Sequence, residues 1–351
     1  MCQGWLISVL VLATSLAGWS QEKTVSGKRS SAAAGLAAKY SGDIGIGNDP
    51  RVIFTENFEA TIDDLQKNWS SVDGAQNLSL SKDRPADSGG KVSLLMTHVG
   101  GTGTGSSLNR TLKPGHDKLH ARFYVKFDPQ CAPIHHFGTN IGGYNPPTPW
   151  PQGGAGQRPT GDKRFTVGVE PQASDWVWDY YAYWCEMRGS PPRGQTWGNS
   201  FIHKPKLKVE RGKWICVELM VKMNHVGDSD GELALWIDGK PVSHLGKGLV
   251  KGKWVFDSFI PGAGGEGIRW NDVKRARESF NVPRGGLPFE GFRWRTAKEL
   301  SLNYLWVYLY ITQAPAGHVS RVWYDDIVVA TEYIGPLQGK SARQVTESLE
   351  E

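Results

Sequence analysis

The chain has 351 residues, 40 of them Lys or Arg against 35 Asp or Glu, for a formal charge of +5. That charge is spread without a basic run beside a nucleic-acid-binding motif, which excludes nucleic acid as an expected partner and leaves a mild preference for acidic polymers. Its 43 Gly, 20 Pro and 15 Trp favour many strands joined by turns over helices, which Gly and Pro interrupt.

Residues 1–20 read as a cleaved secretory signal. The apolar run Trp5 to Ala17 is too short to span a bilayer and ends in small residues before Gln21, although no Lys or Arg precedes it. Residues 21–50 are rich in Ser, Ala, Gly and Lys without periodicity, so a flexible linker is predicted. One all-β domain is expected over 51–336, with a polar tail at 337–351. No other segment would cross a bilayer, which implies a secreted or periplasmic monomer, free of the membrane once the signal is removed. The mature chain would keep Cys131, Cys185 and Cys216, an odd count that leaves at most one bridge. No Cys-x-x-Cys or His-x-x-x-His spacing is present, so no zinc site is expected.

Strands are predicted over Val52–Phe58, Val92–Thr97, Leu119–Phe127, Arg164–Glu170, Trp178–Met187, Lys213–Met223, Glu232–Ile237, Leu302–Ile311 and Val322–Ala330. Asp230-Gly231 and Asp238-Gly239 bracket one of them as tight turns. A short helix is expected only at Asn271–Ser279. From Leu119 to Asp128, Leu119, Ala121, Phe123, Val125 and Phe127 alternate with His120, Arg122, Tyr124, Lys126 and Asp128, the period of a strand with one buried face. From Leu302 to Ile311 the faces separate again: Leu305, Val307, Leu309 and Ile311 on one side, Tyr304, Trp306, Tyr308 and Tyr310 on the other. An aromatic face edged with hydroxyls suits a flat, hydroxylated polymer, and Arg122 and Lys126 suit an anionic one. Between them, Pro129 to about Asp162 is long and irregular but rich in His, Asn and aromatic residues, and is predicted to be a wall or lid of a cleft.

Arg211-Gly212-Lys213-Trp214, Val217-Glu218, Asn224, Asp230-Gly231 and Trp236-Ile237-Asp238-Gly239 follow one another in an order that resembles the jelly-roll polysaccharide lyases of the alginate and glucuronan lyase type. Upstream, Arg122-Phe123-Tyr124-Val125-Lys126-Phe127 is similar to a strand of family 14 lyases, with Gly142-Gly143 following as there. The resemblance implies a concanavalin A-like β-jelly-roll sandwich with a concave groove. It also implies a Tyr-x-Tyr pair on a concave strand, matched by Tyr181 and Tyr183. The neighbouring strand matches with Thr166, but Gly168 stands where an arginine is expected. The loop lysine is replaced by His135-His136, so His136, Arg164 or Arg122 would have to carry that charge. On this arrangement Cys131 and Cys185 would approach, and a bridge between them is expected in an oxidising compartment.

The chemistry implied is β-elimination from a uronate. The C5 proton is a weak acid, removable only if the adjacent carboxylate is neutralised as charge develops, by His136, Arg164 or the Asn140 amide. Tyr183 is expected to be base and acid, with Tyr181 supporting it. Trp306, Tyr308 and Tyr310 would stack on sugar rings, while Arg122, Tyr124, Lys126 and Glu170 would line the polar floor. No cofactor is expected beyond a structural calcium ion where Glu56, Glu59, Asp325 and Asp326 gather as the chain ends meet. A non-catalytic, lectin-like carbohydrate-binding protein is the alternative. A glycoside hydrolase is disfavoured, because Glu-x-Asp-x-x-Glu occurs nowhere and Asp179 and Glu186 face opposite sides by parity.

Overall fold

The computed structural model describes residues 34–151, 154–172, 175–187, 197–202, 207–247, 252–255, 258–261 and 291–339. The signal at 1–20, the first part of the linker and the helix at Asn271–Ser279 lie outside the described residues. In chain order the elements are β1 (Val52–Glu56), a single helical turn α1 (Leu65–Asn68), β2 (Ser71–Asp73), β3 (Leu78–Ser81), β4 (Ser93–Val99) and β5 (Gly105–His116). There follow β6 (Lys118–Phe127), β7 (His136–Tyr144), β8 (Arg164–Gln172), β9 (Val177–Tyr183), β10 (Leu207–Lys208) and β11 (Ile215–Lys222). The last are β12 (Glu232–Ile237), β13 (Lys240–Leu245), β14 (Gly252–Val255), β15 (Ser258–Pro261), β16 (Leu302–Tyr310) and β17 (Val319–Ala330).

These strands form two antiparallel sheets, apart from the β14–β15 hairpin. The groove sheet has the order β10-β9-β8-β7-β16-β5-β2; the backing sheet has the order β13-β12-β11-β6-β17-β4-β3, with β1 paired to β17. Both alternations read from the sequence hold. Leu305, Val307, Leu309 and Ile311 of the groove sheet share one buried cluster with Leu119, Ala121, Phe123, Val125 and Phe127 of the backing sheet. Phe137 joins the layers, its ring 5.0 Å from Phe127 and stacked 5.3 Å from Tyr324. The Tyr324 hydroxyl then donates across the sandwich to the Gly138 carbonyl at 2.6 Å, which satisfies the one polar atom that ring carries into the core.

Topology corrects one expectation. Strand β6 lies in the backing sheet, between β11 and β17, so the polar face that carries Arg122, Tyr124 and Lys126 points away from the groove. Each is used internally. Arg122 is fully buried and pairs with Asp43, the Tyr124 hydroxyl accepts from the Leu337 amide at 2.8 Å, and Lys126 pairs with Asp83. Alternation shows that a strand has two faces; it does not show which sheet the strand joins.

The outer face is closed by the chain ends. Residues 34–50, predicted as linker, are corrected here: Leu36, Ala37 and Ile46 are buried against Val328, Ala330 and Ile334. The start of the tail is likewise packed, with Leu337 beside Tyr124 and Cys216 and a parallel bridge from Gln338 to Ser41. The expected pairing of the ends is present as β1 on β17, with Phe54 opposite Val329 and Glu56 opposite Ile327.

The expected Cys131–Cys185 bridge is absent, and Cys131, Cys185 and Cys216 are free thiols. Strand register explains why. Cys131 lies just before the start of β7, whereas Cys185 follows Tyr183, whose partner Thr166 pairs with Gly142 near the far end of β7. The Cys185 thiol instead donates to the Arg293 carbonyl at 2.8 Å.

Arg122 is the cation on which this outer face turns, since it neutralises Asp43 where both are out of water. Arg122→Met keeps the volume and leaves Asp43 buried without its partner, so a loss of about 3–5 kcal/mol is expected from the denaturant midpoint. A change below 1 kcal/mol would show that water reaches Asp43.

Candidate functional site

Strand pairing lays the groove floor out in rows. In one row, Tyr304 of β16 is opposite Gly142 of β7, Gly142 is opposite Thr166 of β8, and Thr166 is opposite Tyr183 of β9. In the next, Asn109 of β5 is opposite Trp306, Trp306 is opposite Asn140, and Gly168 is opposite Tyr181. Period two places these side chains on the face opposite the core. Of these, Thr166, Tyr183, Trp306, Asn140 and Tyr181 line a cleft of about 570 Å³ that also reaches His135, His136, Tyr310, Ser107 and Asp73.

Large and small residues alternate across the floor. A Cβ on Gly138 would come within 2.3 Å of the Tyr308 ring, and one on Gly168 would come within 1.6 Å of Asn140 Oδ1. The Asn140 amide thus occupies the space above Gly168, the position where the resemblance calls for arginine. With Tyr308 laid over Gly138, Trp306 and Tyr308 stack on each other, centroids 4.2 Å apart and planes 18° from parallel. Asn140 Nδ2 donates to the Tyr308 hydroxyl at 3.3 Å. Three polar atoms of the middle row remain without partners though buried: Asn109 Oδ1, Trp306 Nε1 and Asn140 Oδ1. Such atoms cost roughly 1–3 kcal/mol each when nothing meets them.

The two tyrosines predicted from the sequence share a hydrogen bond, oxygen to oxygen 3.1 Å. Burial pushes both phenols up. The bond raises Tyr181 further and pulls Tyr183 back, as do the amides of Gly156 and Gly198 and the charge of Arg164. Either hydroxyl can donate in that bond, and Tyr183 is the phenol with the more groups that favour its ionised form. Beside them, the His136 ring lies 4.6 Å from Tyr181. Its Nδ1 is 3.3 Å from Glu170 Oε2, which also accepts the Phe137 amide. Glu170 is buried, and that burial raises its carboxyl above the usual range against the pull of His136. An imidazole held at Nδ1 by a carboxylate has Nε2 left for a ligand.

Of the residues anticipated from the sequence, Tyr181, Tyr183, His136, Thr166, Asn140, Trp306, Tyr308 and Tyr310 line the cleft. Glu170 lies beneath His136. Arg164 sits at the rim, its guanidinium donating to the Gln157 carbonyl at 3.0 Å and packed where a Cβ on Gly154 would fall 2.0 Å from its Cζ. The predicted wall at 129–162 is corrected in part, because its segment His136–Tyr144 is β7, in the middle of the floor. Sequence reasoning missed Ser107 and Asp73 with the strands β5 and β2 that carry them. The readable signal in β5 was Leu108 and Leu112 set among Ser, Asn and Thr. Trp197, which also lines the cleft, gave no signal.

The carboxylates expected to gather at the paired ends are largely engaged. Glu56 accepts from Phe58, Asn68 and Trp69, and Glu59 accepts from the amides of Lys91 and Val92. Asp43, Glu59 and Asp326 line a separate cavity of about 330 Å³, in which Asp43 Oδ1 and Asp326 Oδ2 are buried without partners. Among the described residues, one trio of ligating side chains lies within 4.8 Å of one another: His225, Asp228 and Asp230, in a turn before β12 where Asp230 already binds the His225 amide and ring.

No protein-family model and no curated protein matches the chain. Solved structures do. The PL-14 alginate lyase from Aplysia kurodai superposes with a TM-score of 0.50 at 12% identity, over 80% of this chain and 99% of that one. The alginate lyase vAL-1 from Chlorella virus gives 0.49 at 13% identity over 80% and 99%, and the endo-β-1,4-glucuronan lyase from Trichoderma reesei 0.45 at 15% over 80% and 95%. At 12% identity the first of these establishes the jelly-roll sandwich fold.

Asp179, on the floor strand β9, supplies a pH prediction. Burial raises its carboxyl to about 7, against the pull of the amides of Ile202, Phe201 and Tyr180. A raised carboxyl is protonated when folded and ionised when unfolded, so its contribution is full below about pH 4 and is lost as pH rises through 7. Asp179→Asn keeps an oxygen for the three amides and removes the titration. The variant should show a flatter melting temperature between pH 4 and 7 than the parent; identical pH profiles would refute this.

Proposed function

We propose that this is an exported polysaccharide lyase that cleaves a uronate-containing polymer by β-elimination. The observation that carries the reading is the Tyr181–Tyr183 pair beside a carboxylate-held His136, on a floor where two lining residues, Trp306 and Asn140, carry unpartnered polar atoms. Sugar hydroxyls are donors and acceptors of the kind those atoms lack. The stacked Trp306 and Tyr308 offer the apolar surface that the ring faces need.

In the reaction, the Tyr183 oxygen takes the C5 proton while the uronate carboxylate is held by His136 and the Asn140 amide, with Arg164 adding charge from the rim. The C5–H electrons form the C4–C5 double bond, the C4–O4 bond breaks, and the proton held by Tyr183 passes to the departing oxygen. Tyr181 donates to Tyr183 and so stabilises its ionised form. Glu170 fixes the His136 ring through Nδ1, which leaves Nε2 to meet the substrate.

Tyr183→Phe removes one hydroxyl. Unsaturated product, followed by ultraviolet absorbance on alginate, glucuronan, pectate and glycosaminoglycans, should fall by about 10²- to 10⁴-fold with binding largely kept. Trp306→Ala should weaken binding instead, since a stacking surface serves ground and transition states alike. A wild-type protein that binds these polymers through Trp306 yet yields no unsaturated product would replace the lyase with the lectin-like reading.

A further inference from the structure

Charge is distributed unevenly along the groove. His136 stands at the start of β7, on the β7–β8 side of the cleft, whereas Asp73 stands at its β2 edge; Arg164 lies at the other end of those strands, opposite Tyr144. Asp73 is exposed and takes one weak hydrogen bond, from Ser107 Oγ at 3.4 Å. Among the described residues no cation pairs with it, and none that lines the cleft is Lys or Arg. From β7 to β2 the sheet crosses β16 and β5, three strand spacings or roughly 14 Å. That exceeds a single sugar ring, and the Trp306–Tyr308 stack fills the interval.

We propose that the groove selects a heteropolysaccharide, in which an uncharged, hydroxyl-rich sugar beyond the Trp306–Tyr308 stack is read by Asp73 while a uronate occupies the His136 end. The proposal rests on the uronate-lyase reading above and narrows its substrate. A uronate in every position would set a carboxylate against Asp73 with no counter-charge. A neutral sugar would donate its hydroxyls to Asp73, a hydrogen bond strengthened by the ionised acceptor. Asp73 thus both attracts the right unit and repels the wrong one, the two routes by which specificity arises.

The test uses the full chain carrying Tyr183→Phe, which binds without turnover. Calorimetry measures two oligosaccharides of matched length, one a homopolymer of uronates and one alternating uronate with neutral sugar, with and without Asp73→Asn. The alternating ligand should bind the parent more tightly. Asp73→Asn should tighten the homopolymer on the order of fivefold at low salt, the scale of one close charge pair in water, with the gain vanishing at high salt. It should weaken the alternating ligand. Equal effects on both ligands, no effect on either, or a parent that prefers the homopolymer would overturn the proposal. If neither ligand binds either form, the uronate reading of the groove fails, and a neutral-sugar oligomer in the same assay shows whether Asp73 still reads hydroxyls.

Discussion

The structure depends on close approach between large side chains and glycine backbone on one sheet. Tyr308 lies over Gly138, Tyr304 over Gly142 and Asn140 over Gly168, each at a distance that a Cβ would forbid. Without these gaps the rings of β16 would stand up from the sheet and fill the cleft. With them, Trp306 and Tyr308 lie together as one platform and the cleft stays open above it. Glycine weakens a strand's own preference for extended structure, so the arrangement requires support from below. That support is the aromatic layer of Phe137, Phe127 and Tyr324, and the Tyr324 hydrogen bond to Gly138 ties the weakest part of the floor to the backing sheet.

The backing sheet answers a different problem. Its outer face carries Arg122, Tyr124, Lys126, His120 and Glu218, a polar row that the chain ends then cover. Burial of such groups is tolerated only where each finds a partner. Glu218 shows how this is met: it takes His120 at 2.8 Å and the amides of Ile334 and Gly335 at 2.9 and 2.8 Å. The same bonds fix where the C-terminal segment runs. Polar residues on this face therefore position the termini, while those on the groove face line an open cleft.

Much of this was legible in the sequence. Strict alternation in Leu119–Asp128 and Leu302–Ile311 gave both core faces correctly, because a strand's period survives whatever it pairs with. Sheet membership was not legible, since Arg122 and Lys126 read the same on either sheet, and only the pairing of β6 with β11 and β17 removes them from the groove. Strand β7 was hidden for a physical reason. Gly138, Gly142 and Gly143 erase the alternation that marks a strand, yet they are glycines because the neighbouring tyrosines need the room. Residues 34–50 looked like linker by composition, whereas three apolar side chains, Leu36, Ala37 and Ile46, suffice to dock them.

The substitution of Asn140 over Gly168 for an expected arginine bears on mechanism. An arginine there would bring a full, desolvated charge that needs its own counter-ion. A neutral amide brings a donor and an acceptor and needs none. Within the proposed reaction, the groups left to meet a uronate carboxylate are that amide and the His136 ring, whose Nδ1 is held 3.3 Å from Glu170 Oε2 so that Nε2 is left for a ligand. Glu170 is held in turn by the amide of Phe137, on the same strand as His136, and its burial raises its carboxyl. The ring is thus oriented by a buried group that the floor itself positions, whereas an arginine over Gly168 would have had to find its counter-ion inside the cleft.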